Sequence, residues 1–394
     1  MIATRGRPAA VVVGLDCITG LQTARILARR KVPVVGIAAR RDHFCARTRA
    51  CEEIIAAETS GEGLLRALER LGPRLGERAV LFPCTDLSVL TISRGRERLS
   101  DWYHVLLPDA EVVEVLMDKV RFVAYAQQQG LPIPATFVLR GRQDAEAAAA
   151  EMRYPGVMKP ALKTPAWQAA TKAKAFKVHD AAEMLSVYDR CSAWTDVLLA
   201  QQWIAGGEEQ LYSCNCYFDA RSEPIVTFVA RKIRQWPPET GTSCLGEEVR
   251  NDVVLRETIR LFRACHYRGL GYVEMKRDAR TGEHFIVEPN VGRPTGRSAI
   301  AEAGGVELLY AAYCDATGRP LPDRLKQRYG TVKWIYLRHD LQAALHHWRR
   351  GELSLRGWWR SIRGRKVDAV FSWADPVPFI ADCWNAARLV LRRG

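Results

Sequence analysis

Apolar positions in the first hundred residues come as short unbroken runs: PAAVVV at 8–13, PVVGI at 33–37 and AVLFP at 79–83. Between them, residues 21–29 place apolar side chains at helical spacing, and a second helical pattern follows Asp86. Buried strands alternating with amphipathic helices predict a parallel, doubly wound sheet. The glycines of the first turn are Gly14 and Gly20. They do not make G-x-G-x-x-G, and no Walker A sequence occurs, so the turn reads as structural rather than as a phosphate cradle.

The pattern changes at about residue 116. A helix is expected to end at Gly130, and a short strand at 154–160 carries Lys159 near its end. Residues 196–230 read as successive antiparallel strands with turns at Gly206-Gly207 and near Asp219. A Pro/Gly-rich loop (236–246) and a helix (251–266) precede two more strands, GYVEMKRD and HFIVEPN, joined by a hairpin turn at 279–282. This second part is α+β, distinct from the α/β start. Three domains are expected: 1–115, 116–325 (with a small part at 116–200 and a large one at 201–325) and 326–394.

With 394 residues, 48% of them hydrophobic, the chain can build real cores, and 11 Trp, 12 Tyr and 11 Phe exclude a disordered protein. No apolar run approaches the ~18–20 residues of a spanning helix, and the five-residue run at 9–13 is short for a secretory signal. The 11 cysteines follow no metal-site or disulfide spacing, which favours reduced thiols and a cytoplasmic location. The net charge of +14 speaks of anionic partners.

Three oxygen-bearing side chains stand out. Glu288 and Asn290 are two apart on an extended chain and leave one face, and Glu274 lies on the preceding strand. Two carboxylates and an amide oxygen suit Mg²⁺, whose remaining sites go to substrate phosphates. Lys119, Lys159, Arg231 and Lys232 could each face a polyphosphate. Backbone groups near Gln202, Trp203 and Ile204 could read an adenine edge, and a Glu just beyond could accept from ribose hydroxyls.

In order, DK (118–119), MKP (158–160), QQWIAGGEE (201–209), ARKIRQWPP (230–238), VEMKRD (273–278) and EPN (288–290) resemble the ATP-grasp superfamily over roughly residues 10–320. The RKIRQWPP…GTSC loop and the EMKRD hairpin are most similar to carboxylate–amine ligases related to D-aspartate ligase. The resemblance implies an ATP-grasp fold behind a Rossmann-like pre-ATP-grasp domain. It implies ligation of a carboxylate to an amine through an acyl phosphate, with release of ADP and phosphate. Lys119 and Lys159 would then bind the ATP phosphates. Gln201, Gln202, Trp203 and Ile204 would form the adenine hinge, Glu208 (or Glu209) the ribose contact, and Glu274, Glu288 and Asn290 the Mg²⁺ set. Gln201 stands where many relatives have Glu. Tyr272 stands where D-alanine ligases place an arginine on the reacting carboxylate, so Arg231, Arg234, Arg293 or Arg297 must supply that clamp, with Lys232 beside them.

The last 55 residues hold 10 Arg/Lys, 5 Asp/Glu and 5 of the 11 tryptophans. A helical stripe at 341–348 and an Arg/Trp-rich segment at 353–366 predict a helical extension. It either packs on the catalytic domain or lies on an anionic membrane. Nucleic acid is not expected, since no recognised motif accompanies the charge. Two rival functions remain: a non-catalytic polyanion- or membrane-binding protein on an ATP-grasp scaffold, and a nicotinamide-dependent oxidoreductase using the first domain.

Overall fold

A computed structural model of the chain describes residues 6–162, 164–238 and 241–391. The first five residues, and 239–240 within the expected 236–246 loop, lie outside the described residues. Strand β1 (Ala10–Val13) is wholly buried and pairs in parallel with β2 (Val34–Ala38) and β4 (Ala79–Pro83). With β3 (Glu53–Ala56) and β5 (Tyr103–Val105) it forms a five-stranded parallel sheet in the order β3-β2-β1-β4-β5. Continuous apolar runs suit strands covered on both faces. The turn into helix α1 (Ile18–Arg29) is capped by Cys17, whose thiol accepts from the Gly20 N–H. A Cβ at Gly20 would lie 2.3 Å from the Gly14 carbonyl oxygen, so the close approach of helix to strand explains this glycine.

The chain divides into two compact units: residues 1–113, 213–273 and 290–394, and residues 114–212 with 274–289. In the second, helix α2 (Lys119–Gln128) precedes an antiparallel sheet of β6 (Thr136–Leu139), β7 (Gly156–Pro160), β8 (Phe176–Val178) and β9 (Leu198–Gln202), ordered β6-β9-β7-β8. Its core gathers Met158, Trp167, Met184 and Leu198 on one face. Side chains alternate across a strand, so Lys159 emerges opposite that core, beside its cross-strand partner Leu199.

The other sheet follows the order β14-β13-β10-β11-β12-β15-β16. Its strands are β10 (Leu211–Phe218), β11 (Pro224–Trp236), β12 (Thr242–Glu248), β13 (Gly269–Arg277), β14 (His284–Val291), β15 (Lys333–Ile335) and β16 (Lys366–Asp368). Residues 242–246, expected as loop, belong to β12. They pair with the far end of β11 across a bulged register. The extension is part of this first unit. It adds β15 and β16 to the sheet edge and contributes helices α3 (Leu337–Arg349), α4 (Leu355–Ile362) and α5 (Val377–Leu391). Its later part is fastened to α1 and to the loop before β3: Arg25 donates to Asp375 (2.9 Å) and to the Val370 carbonyl (2.6 Å), and Thr48 donates to Asp375.

Near α1, Arg30 pairs with Glu302 (3.1 Å) and with Glu307, which Arg324 also holds (2.6 Å). Burial pushes the Glu302 carboxyl up to about 7 in spite of Arg30, and its Oε1 has no partner among the described residues. A carboxyl raised on folding stabilises fully below its unfolded value, and that contribution is lost as pH rises towards the folded one. Glu302→Gln is therefore expected to flatten the decline in stability between about pH 4.5 and 7. Urea midpoints at the two ends of that window measure it. A decline identical to that of the parent chain would discount Glu302.

Candidate active site

In the second unit, Lys119, Lys159, Gln201 and Glu288 line one cleft, walled by apolar Met117, Phe122, Leu199 and Ile286. Lys119 opens α2, where the Asp118 carboxylate caps the helix by accepting from the N–H groups of Val120 and Arg121. Its Nζ donates to the Ala161 carbonyl at 3.1 Å. Lys159 donates to Gln201 Oε1 at 3.1 Å, and Gln201 Nε2 donates to Thr136 Oγ1 at 2.8 Å, which fixes the amide. Burial first, then the neighbouring Lys119, pushes the Lys159 ammonium below its ordinary value, and Glu288 opposes the shift. Two cations and a carboxylate beside apolar walls offer charge to a polyphosphate and an apolar surface to a planar ring.

The predicted hinge continues β9. The N–H of Gln202 bonds the Ala135 carbonyl (2.9 Å) and that of Trp203 the Pro155 carbonyl (3.1 Å). The Ile204 N–H has no partner among the described residues. Beyond it, the Ala205 N–H donates to Asp278 Oδ2 at 3.0 Å, and the same carboxylate accepts from the Arg280 N–H at 2.8 Å. Asp278 thus ties the loop after the hinge to the turn between β13 and β14. The Arg280 hydrogen bond, ahead of these backbone donors, holds its pKa well below the usual carboxylate range. Glu208 and Glu209 begin a short 3₁₀ turn, Glu208–Gln210. The Trp203 ring lies beneath two cations, Lys177 (4.7 Å) and Lys276 (5.1 Å).

Glu274 and Glu288 belong to the second unit and Asn290 to the first. Among the described residues, no group of three His, Cys, Asp or Glu could hold a metal ion. The three are hard-oxygen donors, two carboxylates and an amide oxygen, of the kind Mg²⁺ takes. Asn290 Oδ1 is oriented by Arg293 Nη2 at 2.6 Å, and a carbonyl oxygen has a second lone pair to offer.

The five candidate cations of the clamp lie in the first unit and differ in how they are committed. Arg231 is paired with Glu247 across β11 and β12. Lys232 is buried and donates to Gln235 Oε1 at 3.0 Å. Arg234, the alternative clamp, is buried against Asp340 at 2.8 Å and serves the fold. Arg293 divides its donors among Asp86 (2.5 Å), Tyr272 (2.7 Å) and Asn290. Arg297 is 5% exposed, donates to Ser213 Oγ at 3.0 Å, and keeps its Nη1 without a partner among the described residues.

No family model matches the chain. D-aspartate ligase of Enterococcus faecium (strain Aus0004) is 22% identical over 251 residues, 61% of this chain and 58% of that protein. D-alanine–D-alanine ligase B of Chromobacterium violaceum is 25% identical over 211 residues, 51% of this chain and 66% of that protein. The match therefore spans less than two thirds of the length of either ligase. The crystal structure of N5-carboxyaminoimidazole synthetase from Staphylococcus aureus complexed with ADP superposes with a TM-score of 0.63 at 14% identity, over 82% of this chain and 80% of that one. The chain has the ATP-grasp fold.

Within that fold, the residues sequence reasoning missed are supporting ones. Asp278 had a readable signal, since Asp followed by Thr-Gly three residues on is an Asx-type turn pattern. In the sequence, Tyr272 marks only a departure from the D-alanine ligase pattern. It forms a hydrogen bond with Arg293, whose guanidinium also lies over its ring at 5.3 Å, so a cation stands beside this position despite the missing arginine. Ser213, Lys177 and Lys276 carried no signal, because their relevance depends on which residues face them.

Proposed function

We propose that this ATP-grasp protein is an ATP-dependent ligase that joins a carboxylate to an amine, forming a carbon–nitrogen bond. The observation that carries the reading is the convergence of Lys119, Lys159, Gln201 and Glu288 on one apolar-walled cleft. The ligase relatives and the ADP complex of a fold neighbour support it. Lys119 and Lys159 bind the phosphates of ATP, and the Ile204 N–H meets the adenine. Glu208, with Glu209 as its neighbour, accepts from ribose hydroxyls. Glu274, Glu288 and Asn290 would hold Mg²⁺, which supplies neutralisation of phosphate charge.

In the first step the substrate carboxylate attacks the γ-phosphorus and the β–γ bridging P–O bond breaks, giving an acyl phosphate and ADP. In the second, the amine attacks the acyl carbon, loses a proton and expels phosphate. Such chemistry demands positioning and charge stabilisation rather than a protein nucleophile. Among the candidate cations, Arg297 has a buried donor to spare and would grip the reacting carboxylate. A buried donor without a partner costs roughly 1–3 kcal/mol or more when it is charged, and an anionic substrate group removes that cost. Arg293 acts as a positioning residue, since it orients the Asn290 oxygen.

The test is a screen for ADP release over amino acids and hydroxy or sugar acids, with mass spectrometry of the product. With an ¹⁸O-labelled carboxyl substrate, one label is expected in inorganic phosphate. Release of AMP and pyrophosphate would overturn the acyl-phosphate route. NAD(P)H binding with no ADP formed would favour the oxidoreductase reading.

A further inference from the structure

The surface of the extension is unlike the rest of the molecule. Nine of the thirteen exposed large apolar residues among those described lie at Leu337 or beyond, and so do all four exposed tryptophans, Trp348, Trp359, Trp373 and Trp384. Scattered exposed leucines need no explanation, but a concentration of this kind in one segment does.

Helix α4 shows the arrangement most clearly. Trp358 and Ile362 turn inward: Ile362 packs with Leu245 and Ile335, and the Trp358 indole donates to Asp340 at 2.9 Å. At 100° per residue, Leu355 and Trp359 come next round the helix, and Arg356 and Arg360 follow them. Leu355 is 70% exposed and Trp359 59%. Arg363, Arg365 and Lys366 continue the exposed cationic run, and none of these five cations has an ion-pair partner among the described residues. Helix α3 presents a second exposed apolar row, with Leu341, Leu345 and Trp348 at i, i+4 and i+7. Across 337–366 there are eight Arg and Lys against two acidic residues. Of those two, Asp340 is buried on Arg234, and Glu352 is held by Arg350 and His347.

We propose that α4 docks on the anionic surface of a lipid bilayer, with Leu355 and Trp359 entering the headgroup–acyl boundary and Arg356, Arg360, Arg363, Arg365 and Lys366 lying on lipid phosphates. An apolar stripe edged by arginines is what an interfacial helix requires. A nucleic acid would account for the cations but would leave the exposed leucines unused. The packed face of α4 anchors the helix to the first unit, so the surface is presented rigidly, not by a free tail. No helix among the described residues is long and apolar enough to cross a membrane, so docking here is peripheral.

The test uses the full chain with vesicles of phosphatidylcholine alone or with one third phosphatidylglycerol. The protein is expected to sediment with the anionic vesicles at low salt and not with the neutral ones. Release is expected as salt shortens the screening length from about 10 Å at 0.1 M to about 3 Å at 1 M. Reversing Arg356, Arg360 and Arg363 to Glu should weaken binding about 100-fold or more, at roughly fivefold for each cation lost. Leu355→Ser with Trp359→Ser should cost about tenfold or more, through lost apolar burial, and should leave the melting temperature of these exposed positions unchanged. Brominated acyl chains should quench the tryptophan emission of the unaltered protein. Failure to sediment with anionic vesicles, or sedimentation without quenching, overturns the proposal. So does a Ser/Ser variant that binds as tightly as the parent and is displaced by duplex DNA, which would mark a general polyanion surface.

Discussion

Glu288→Gln is expected to lower turnover ~10²-fold or more while leaving the fold intact, because charge stabilisation by a bound metal is worth several kcal/mol. The substitution keeps the shape of the side chain and removes its negative charge. Glu288 lies exposed on β14 at the cleft that Lys119 and Lys159 share, and its charge is felt by Lys159. It is therefore placed to balance the cations, and on the proposed reading it would also hold Mg²⁺. If the role is metal binding, the Mg²⁺ concentration needed for half-maximal ADP release should rise in the variant. If Glu288 only balances Lys159, nucleotide affinity should change while the Mg²⁺ requirement does not. Undiminished ADP release by a well-folded variant would remove Glu288 from the site.

The parts of this molecule legible in its sequence are those written in local patterns. The strands of the first sheet are unbroken apolar runs. The hairpin from β13 to β14 is marked by its turn residues, and Lys159 announces itself near the end of a short strand. The strand β12 was hidden because Pro237, Pro238 and Gly241 precede Thr242, and such punctuation reads as loop. Its register comes from β11 and β15, which only the tertiary fold supplies. Strands β15 and β16 have three residues each, too few for any period to show. Arg297 looked no different from Arg293 in sequence. What separates them is the count of partners, three for one guanidinium and a single serine for the other among the described residues. The same holds for Arg25 and Asp375, 350 residues apart, and for Arg234 and Asp340, 106 apart.

That last pair sets the largest expected effect on stability. Asp340 is fully buried, receives both Arg234 Nε (2.8 Å) and Nη2 (3.1 Å), and accepts the Trp358 indole N–H. Asp340→Ala would leave a buried guanidinium without its counter-charge and the indole without its acceptor. Removing one partner of a buried ion pair typically costs about 3–5 kcal/mol, because the remaining charge stays desolvated. Trp358→Phe, which deletes the N–H donor and part of the packed ring, should cost roughly 1–2 kcal/mol, less than Asp340→Ala. Trp359→Ser, on the exposed side of the same helix, should cost close to nothing. Urea unfolding of the three variants measures the order. Equal midpoints for Asp340→Ala and Trp359→Ser would mean that α4 is not held through Asp340. The packed side of the helix would then lose its anchor, and the presentation of Leu355 and Trp359 would need another cause.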